Sequence, residues 1–344
     1  MATVDYLSAA DLSAVARGGV INESLMAKIW NISKIPLPFT DSVGSATHDN
    51  PYTSWVQDTL GAVNLSNAAV DGQDVTTFQG GPPSPRVGNQ SQISTKAVAV
   101  TQRAQASAAV GGNALAYQLM MRQQELHRDV EGISLSLQAS VADNGDTVAG
   151  KSGGLGSWLV TNTSLGATGT AGGYNTGTGL TVATVPGTKR AGSEATLRNL
   201  LQSAWTQGGN PTLLMGVPAT IRGLSEYMFT ATARVATLMS DTGQSRTASV
   251  AKGSVNVFVS DFGVTVEMTA NRLQPVESAG QATLYILDPS LIELSYLQGY
   301  RVGEMAKTGL ADKRLMSVDW TLKVLQEKGL GGYFALDTAI PWVA

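Results

Sequence analysis

Four residues match a phosphate-binding loop in full: Gly145, Gly150, Lys151 and Ser152 fit G-x-x-x-x-G-K-[ST]. Such a loop cradles nucleotide phosphates on backbone amides, with the lysine on the outer phosphates and the serine hydroxyl on magnesium. The apolar run Leu284 to Asp288 ends in an aspartate of the kind that completes a magnesium site. The chemistry also needs a buried strand before the loop and a helix beginning at the lysine and serine. Neither is visible, because Leu135, Leu137 and Ala139 continue a helical pattern ahead of the loop and Gly153 and Gly154 break any helix that Ser152 would start. A nucleotide hydrolase is therefore the weaker reading of this stretch.

Other chemical candidates are thinner. Asp261-Phe262-Gly263 matches a kinase metal-binding tripeptide but lacks a catalytic loop and a lysine strand to accompany it, so a hairpin turn explains it better. His127 has no second histidine one helical turn away, and His48 lies among turn residues. Glu125 and Asp129 are a helical turn apart with Arg122 and Arg128 beside them, the pattern of solvated ion pairs. The absence of cysteine removes thiol nucleophiles, sulfur-ligated zinc and disulfides. No catalytic residue, cofactor-binding residue or metal site emerges, and no cofactor is expected.

The elements that would position any site tell more. From Gly72 to about residue 108 runs a Gly/Pro/Gln-rich arm, punctuated by Gly80, Gly81, Pro82, Pro83 and Pro85, then polar through Gln92 and extended from Ile93 to Val100. It reads as a long hairpin with no core of its own, ordered by something outside it. A long amphipathic helix follows, with Leu115, Leu119, Leu126, Val130, Ile133 and Leu137 on one stripe. Arg122, Glu125, Arg128, Asp129 and Glu131 mostly occupy its other faces.

Asp143 to Gly192 is rich in Gly, Thr, Asn and Ser and reads as an insertion of turns and short strands. Ser193 caps a helix through Trp205 that stops at Gly208, Thr212 to Val217 forms a buried strand, and Pro218 opens the next helix. Val255 to Met268 alternates about the turn Asp261 to Gly263 as a hairpin, and Met316 to Val324 alternates as a long strand with one buried face. Helices segregated from antiparallel strands indicate an α+β chain.

With 344 residues the chain can bury a sizeable core, in two lobes or one elaborated domain. Twenty-three basic against twenty-six acidic residues give a net charge of −3, the wrong balance for tight grip on phosphate backbones. Arg86, Lys96 and Arg103 dot the arm as rim contacts to a protein surface would. No signal peptide opens the chain and no long apolar run crosses it, so a soluble, cytosolic product is expected.

The order of motifs resembles that of the major capsid proteins of tailed bacteriophages of the SU10-like group. The resemblance runs through Trp55-Val-Gln-Asp58-Thr-Leu60, Arg86-Val-Gly-Asn89-Gln-Ser-Gln92, Glu125-Leu-His-Arg128-Asp129-Val-Glu131 and Gly153-Gly-Leu-Gly-Ser-Trp158. It continues at Val259-Ser-Asp261-Phe262-Gly263 and Ala306-Lys307-Thr308-Gly309, and it departs at Asp71 and Asp319, where glutamate is usual. It implies the HK97-type capsid fold, with an N-terminal arm (1–71), an extended hairpin loop (72–108) and a spine helix in a peripheral domain (109–150). The remaining parts it implies are the Gly/Thr-rich insertion (151–190), an axial domain (191–298) and a return strand to the peripheral domain (299–344).

The implied function is a non-enzymatic shell, built of hexamers and pentamers around double-stranded DNA in the virion and assembled in the host bacterial cytoplasm. The implied partners are portal, scaffolding and decoration proteins and weakly held DNA, with no membrane. The same resemblance makes Trp55, Asp58, Gly80, Gly81, Pro85, Arg86, Asn89, Gln92, Lys96 and Arg103 inter-subunit contacts of arm and loop. Arg122, Glu125, Arg128 and Glu131 mark the spine helix. A cargo-enclosing compartment protein of the encapsulin kind shares the fold and is the other structural reading. Deleting Gly80 to Gly88 is expected to leave a folded subunit that builds no stable shell.

Overall fold

A computed structural model describes residues 36–72, 74, 84–106, 114–230, 257–278, 280–307 and 309–343. Gly80, Gly81, Pro82 and Pro83 of the arm, and Val255 of the expected hairpin, lie outside the described residues.

In chain order the elements begin with helix α1 (Pro38–Ser42) and strands β1 (Gly44–Thr47) and β2 (Tyr52–Val56). Strands β3 (Arg86–Gln90) and β4 (Gln92–Thr101) precede the short helix α2 (Gln102–Ala106) and the long helix α3 (Ala114–Ser134). Next come α4 (Leu155–Trp158), β5 (Thr163–Ser164), β6 (Gly173–Asn175), β7 (Leu180–Val182) and α5 (Glu194–Thr206). Then follow β8 (Leu213–Gly216), α6 (Pro218–Thr230), β9 (Val257–Val259), β10 (Thr265–Ala270) and β11 (Gln281–Leu287). The last strands are β12 (Ile292–Glu304), β13 (Ala311–Val324) and β14 (Gly331–Asp337).

Two sheets organise these pieces. The first has the order β1-β12-β13-β4, with β1 parallel to β12 and the other pairs antiparallel. Alternation along β13 drives Met316, Val318, Trp320, Leu322 and Val324 inward, each at most 3% exposed. The Trp320 indole N–H finds a partner in Ser94 Oγ at 3.1 Å. Against this sheet lies α3, whose Leu126 and Val130 are buried as its periodicity requires. The helix ends at Ser134 rather than continuing to Ala139. There the Ser134 and Ser136 hydroxyls donate to the carbonyls of Val130 and Ile133, competing with further helical bonds.

The second sheet has the order β5-β14-β11-β8-β10-β9. Its central strands β11 and β14 are buried along their whole length, so both faces are covered. Helix α5 begins after Ser193 and packs Leu197, Leu200, Leu201 and Ala204 inward, and α6 starts at Pro218 as expected. The hairpin β9–β10 turns at Gly263, whose φ of 78° suits a residue without a side chain.

Two expectations change. The arm is not one hairpin: β3 pairs with β2, while β4 pairs with β13 from Gln92↔Trp320 to Thr101↔Ala311. The β4 alternation of small and β-branched residues suits a sheet already present, so no self-pairing is needed. The Gly-rich stretch after residue 150 is also no simple excursion. Leu155, Trp158 and Leu159 are at most 2% exposed and belong to the main core. Its glycines allow that close approach: a Cβ at Gly156 would sit 2.2 Å from Leu137 Cδ2 and 2.9 Å from Tyr285 Oη.

Candidate assembly surfaces

The ladder β2–β3, from Tyr52↔Gln90 to Val56↔Arg86, forms a stem from which the chain leaves after residue 56. This stem is held from three directions. Trp55 donates from Nε1 to the Val324 carbonyl at 3.1 Å and packs on Trp158 with ring centres 5.4 Å apart. Gln57 donates to the Leu325 carbonyl at 2.8 Å. Asn89, 0% exposed, donates to the Leu322 carbonyl at 2.8 Å and accepts from Gly153 N at 2.9 Å. Ser152 Oγ also accepts from Asn89 Nδ2 at 3.2 Å and from Leu322 N at 3.1 Å. Tyr52 bonds Tyr174 Oη at 3.0 Å, and burial with that bond pushes its hydroxyl pKa up to about 12.

Beyond the stem the loop leaves the core. Val56 is 64% exposed, and Leu60, Val63, Leu65 and Val70 range from 76% to 100%. Several large apolar side chains, each mostly in water on one loop, form the kind of surface that marks an interaction site.

The expected site residues divide accordingly. Trp55 and Asn89 lie inside the stem, so Asn89 has no surface to offer a neighbour. Gln92 accepts from Gln138 and from Ser152 N and is half-buried. Asp58, Pro85, Arg86 and Arg103 are exposed, with Arg86 on Ser54 Oγ across the stem. Lys96 pairs with Asp129 at 2.8 Å, and Arg122 with Glu125 at 2.6 Å, so these groups bind strand to helix and helix to itself.

Glu131 is not on a polar face. At 0% exposure its carboxylate accepts from Phe39 N, Thr40 N and Asn271 Nδ2 at 2.7–2.8 Å, and from the Thr40 hydroxyl. It therefore caps α1 from α3 and ties in the end of β10, a junction built from segments far apart in sequence. Asn271 and Thr40 carried no pattern that would have announced it.

The phosphate-loop residues hold no phosphate geometry. Lys151 exchanges backbone bonds with Val141, Ser152 is buried on Asn89 and Leu322, and no helix starts at either. Asp288 accepts from Ser290 and from Asn210 N. Asp261 is an ion-pair partner of Arg198 at 2.7 Å, and Phe262 stacks on Trp205 at 5.2 Å. His127 packs on Tyr300 and His48 bonds Ser295, burial lowering the pKa of both. Among the described residues there is no group of three or more metal-ligating side chains, and no helix is long and apolar enough to cross a membrane.

This architecture is that of HK97-type shells. The chain superposes on the capsid subunit of a native GTA particle with a TM-score of 0.59 at 12% identity, covering 94% of this chain and 98% of that one. It superposes on the SrpI encapsulin of Synechococcus elongatus PCC 7942 with a TM-score of 0.56 at 12% identity, over 96% and 98% of the two chains. A chain of Mycobacterium phage Adephagia gives 0.56 at 11% identity, over 98% and 100%. The sequence pattern of the SU10 major capsid protein family matches residues 7–337, and the chain belongs to that family. The major capsid protein of Escherichia phage Phieco32 is 36% identical over 105 residues, a match spanning 30% of this chain and 29% of that relative.

Proposed function

We propose that the chain is the shell-forming subunit of a tailed-phage head, assembling into hexamers and pentamers that enclose double-stranded DNA, with no catalytic step. The observation that carries this reading is the contrast within the extended loop, whose stem is bonded into the core while Leu60, Val63 and Leu65 stand in water. Apolar area exposed on a lone subunit and covered in an assembly supplies a driving force of about 25 cal/mol per Å². Family membership favours a phage head over a cargo compartment, although an encapsulin shares the fold.

On this reading the chain leaving the β2–β3 stem belongs to the extended loop expected at 72–108, while β4 belongs to the first sheet, α3 is the spine of a peripheral domain, and the second sheet forms the axial domain with α5 and α6. Portal, scaffolding and decoration proteins are the partners, and assembly takes place in the host cytoplasm before DNA enters. The net charge of −3 suits an inner wall that holds DNA loosely.

Sedimentation and negative-stain microscopy of the purified chain, with and without a scaffold, test this. Closed shells or capsomer rings are expected. A compact monomer under every condition overturns the reading, and ATP binding lost in Lys151→Ala would restore the hydrolase.

A further inference from the structure

Gly145, which opens the phosphate-loop pattern, stands in a turn whose amides already hold an oxygen. Asn144 Oδ1 accepts from Asp146 N at 3.0 Å, Thr147 N at 3.0 Å and Val148 N at 2.8 Å. Successive amides converging in this way form a nest for negative charge. The same side chain donates from Nδ2 to Thr147 Oγ1 at 3.1 Å, and the Gly145 N–H donates to Asp143 Oδ1 at 2.8 Å. Residues 142–149 are exposed, so water has access to the turn.

The chain holds one asparagine followed by glycine, and it is Asn144. A side chain at the following residue crowds the backbone nitrogen as it approaches the preceding carboxamide. Gly145 has a φ of 72° and nothing beyond its chain neighbours within 4 Å of where a Cβ would stand, so its nitrogen is unhindered. Asn64 and Asn175 make the internal comparison. Each Oδ1 accepts one backbone amide, from Ser66 and Gly177 at 2.9 Å, and each precedes a residue with a side chain, Leu65 and Thr176.

We propose that the turn at residues 143–148 promotes the conversion of its own Asn144 to aspartate and isoaspartate, a modification site independent of the shell reading. Asp143 takes the proton from Gly145 N as that nitrogen attacks Asn144 Cγ. The N–Cγ bond forms, and the negative charge gathering on Oδ1 is met by three amides already aimed at it, the arrangement that stabilises an oxyanion. The Cγ–Nδ2 bond then breaks beside Thr147, the proton returns through solvent to Nδ2, and ammonia departs from a five-membered succinimide. Water adds at one or the other ring carbonyl and opens the ring, giving aspartate or isoaspartate. Aspartate keeps an oxygen in the nest and adds a carboxylate beside Asp143 and Asp146. Isoaspartate puts an extra methylene into the main chain and withdraws the acceptor from the nest. Below the turn Val141 and Lys151 exchange backbone bonds of 3.0 Å, which confines the change to the turn.

Incubation of the full chain at neutral pH, folded or in guanidinium, followed by digestion and mass spectrometry, tests this. The folded chain should gain the mass of an amide-to-acid change at Asn144 about tenfold faster than the denatured chain, with Asn64 and Asn175 unchanged over the same period. Asp143→Ala should bring the folded rate down to that of the denatured chain. A folded rate equal to or below the denatured one overturns the proposal, since the turn would then hold Asn144 against attack. So does an Asp143→Ala chain that converts as fast as the parent.

Discussion

Residues 52–57 and residues 58–72 are neighbours in sequence and opposites in setting. The first group pairs with β3, sends Trp55 onto Trp158 and Val324, and sits over a fully buried Asn89. The second group has comparable apolar content but leaves Leu60, Val63 and Leu65 in water. Local residue preference does not separate them. What differs is whether the chain's own core offers carbonyls and aromatic faces to receive them, as β13 and α4 do for the stem. One region is stabilised within the subunit and the other awaits a neighbour, so subunit stability and assembly should respond to different mutations.

The largest expected effect falls on the element that the stem leans against. Trp320 is 0% exposed in the middle of β13, and Trp320→Ala should destabilise the subunit by about 3–5 kcal/mol. Denaturant unfolding checks this, and a loss below about 1 kcal/mol would contradict the packing described for that strand. Next comes the stem itself. Asn89→Ala leaves Gly153 N and the Leu322 carbonyl without their side-chain partner in a buried site and should cost about 1–3 kcal/mol. The deletion of Gly80 to Gly88 belongs with this pair rather than with assembly variants. It removes Arg86, Val87 and Gly88 from β3, and Val87 is only 7% exposed, so the subunit should unfold. A cut confined to residues 58–72 is the cleaner probe.

How much of this was legible in sequence depended on whether a side chain answered to a local period or to a distant partner. The β13 alternation, the Pro218 start and the Asp261 turn are local signals that appear where they were expected, and the α3 stripe does so as far as Ile133, with Leu137 falling beyond the helix end at Ser134. Glu131 defeated the same reasoning. Its place near the polar side of the helix hid the fact that α1 and Asn271 bring three backbone or amide donors and a hydroxyl to it, which makes burial of a carboxylate tolerable. The burial of Asn89, which the resemblance marks as an inter-subunit contact, is equally invisible in sequence, since only the fold brings Ser152, Gly153 and Leu322 around it. Lys151 shows the converse: a complete motif whose backbone is committed to Val141.

A pH experiment sharpens the comparison from the side of the core. Burial pushes the Glu277 carboxyl up to about 7, against the bond it accepts from Thr283. The folded state therefore holds a proton that the unfolded chain releases near pH 4.5. Stability should fall as pH rises from there to about 7 and then level off, by at most about 3 kcal/mol. Glu277→Gln keeps an acceptor for Thr283 and should flatten that slope, raising the thermal midpoint at pH 8 while leaving it nearly unchanged at pH 4. An unaltered slope would place the titrating group elsewhere.

The smallest expected effect on the subunit is the most informative about the loop. Leu60 and Leu65 are 100% and 95% exposed, so Leu60→Ser with Leu65→Ser removes almost no buried area within the chain and should shift stability by less than about 0.5 kcal/mol. Each side chain would nonetheless contribute about 1.5–3 kcal/mol if buried against a neighbour, and a closed shell repeats that contribution at every subunit. Sedimentation should therefore show intact, folded subunits that no longer form particles. A variant that assembles as well as the parent would mean that these leucines remain in water in the shell. A variant that unfolds would mean that the loop is part of the subunit's own core, and the distinction between stem and loop would disappear.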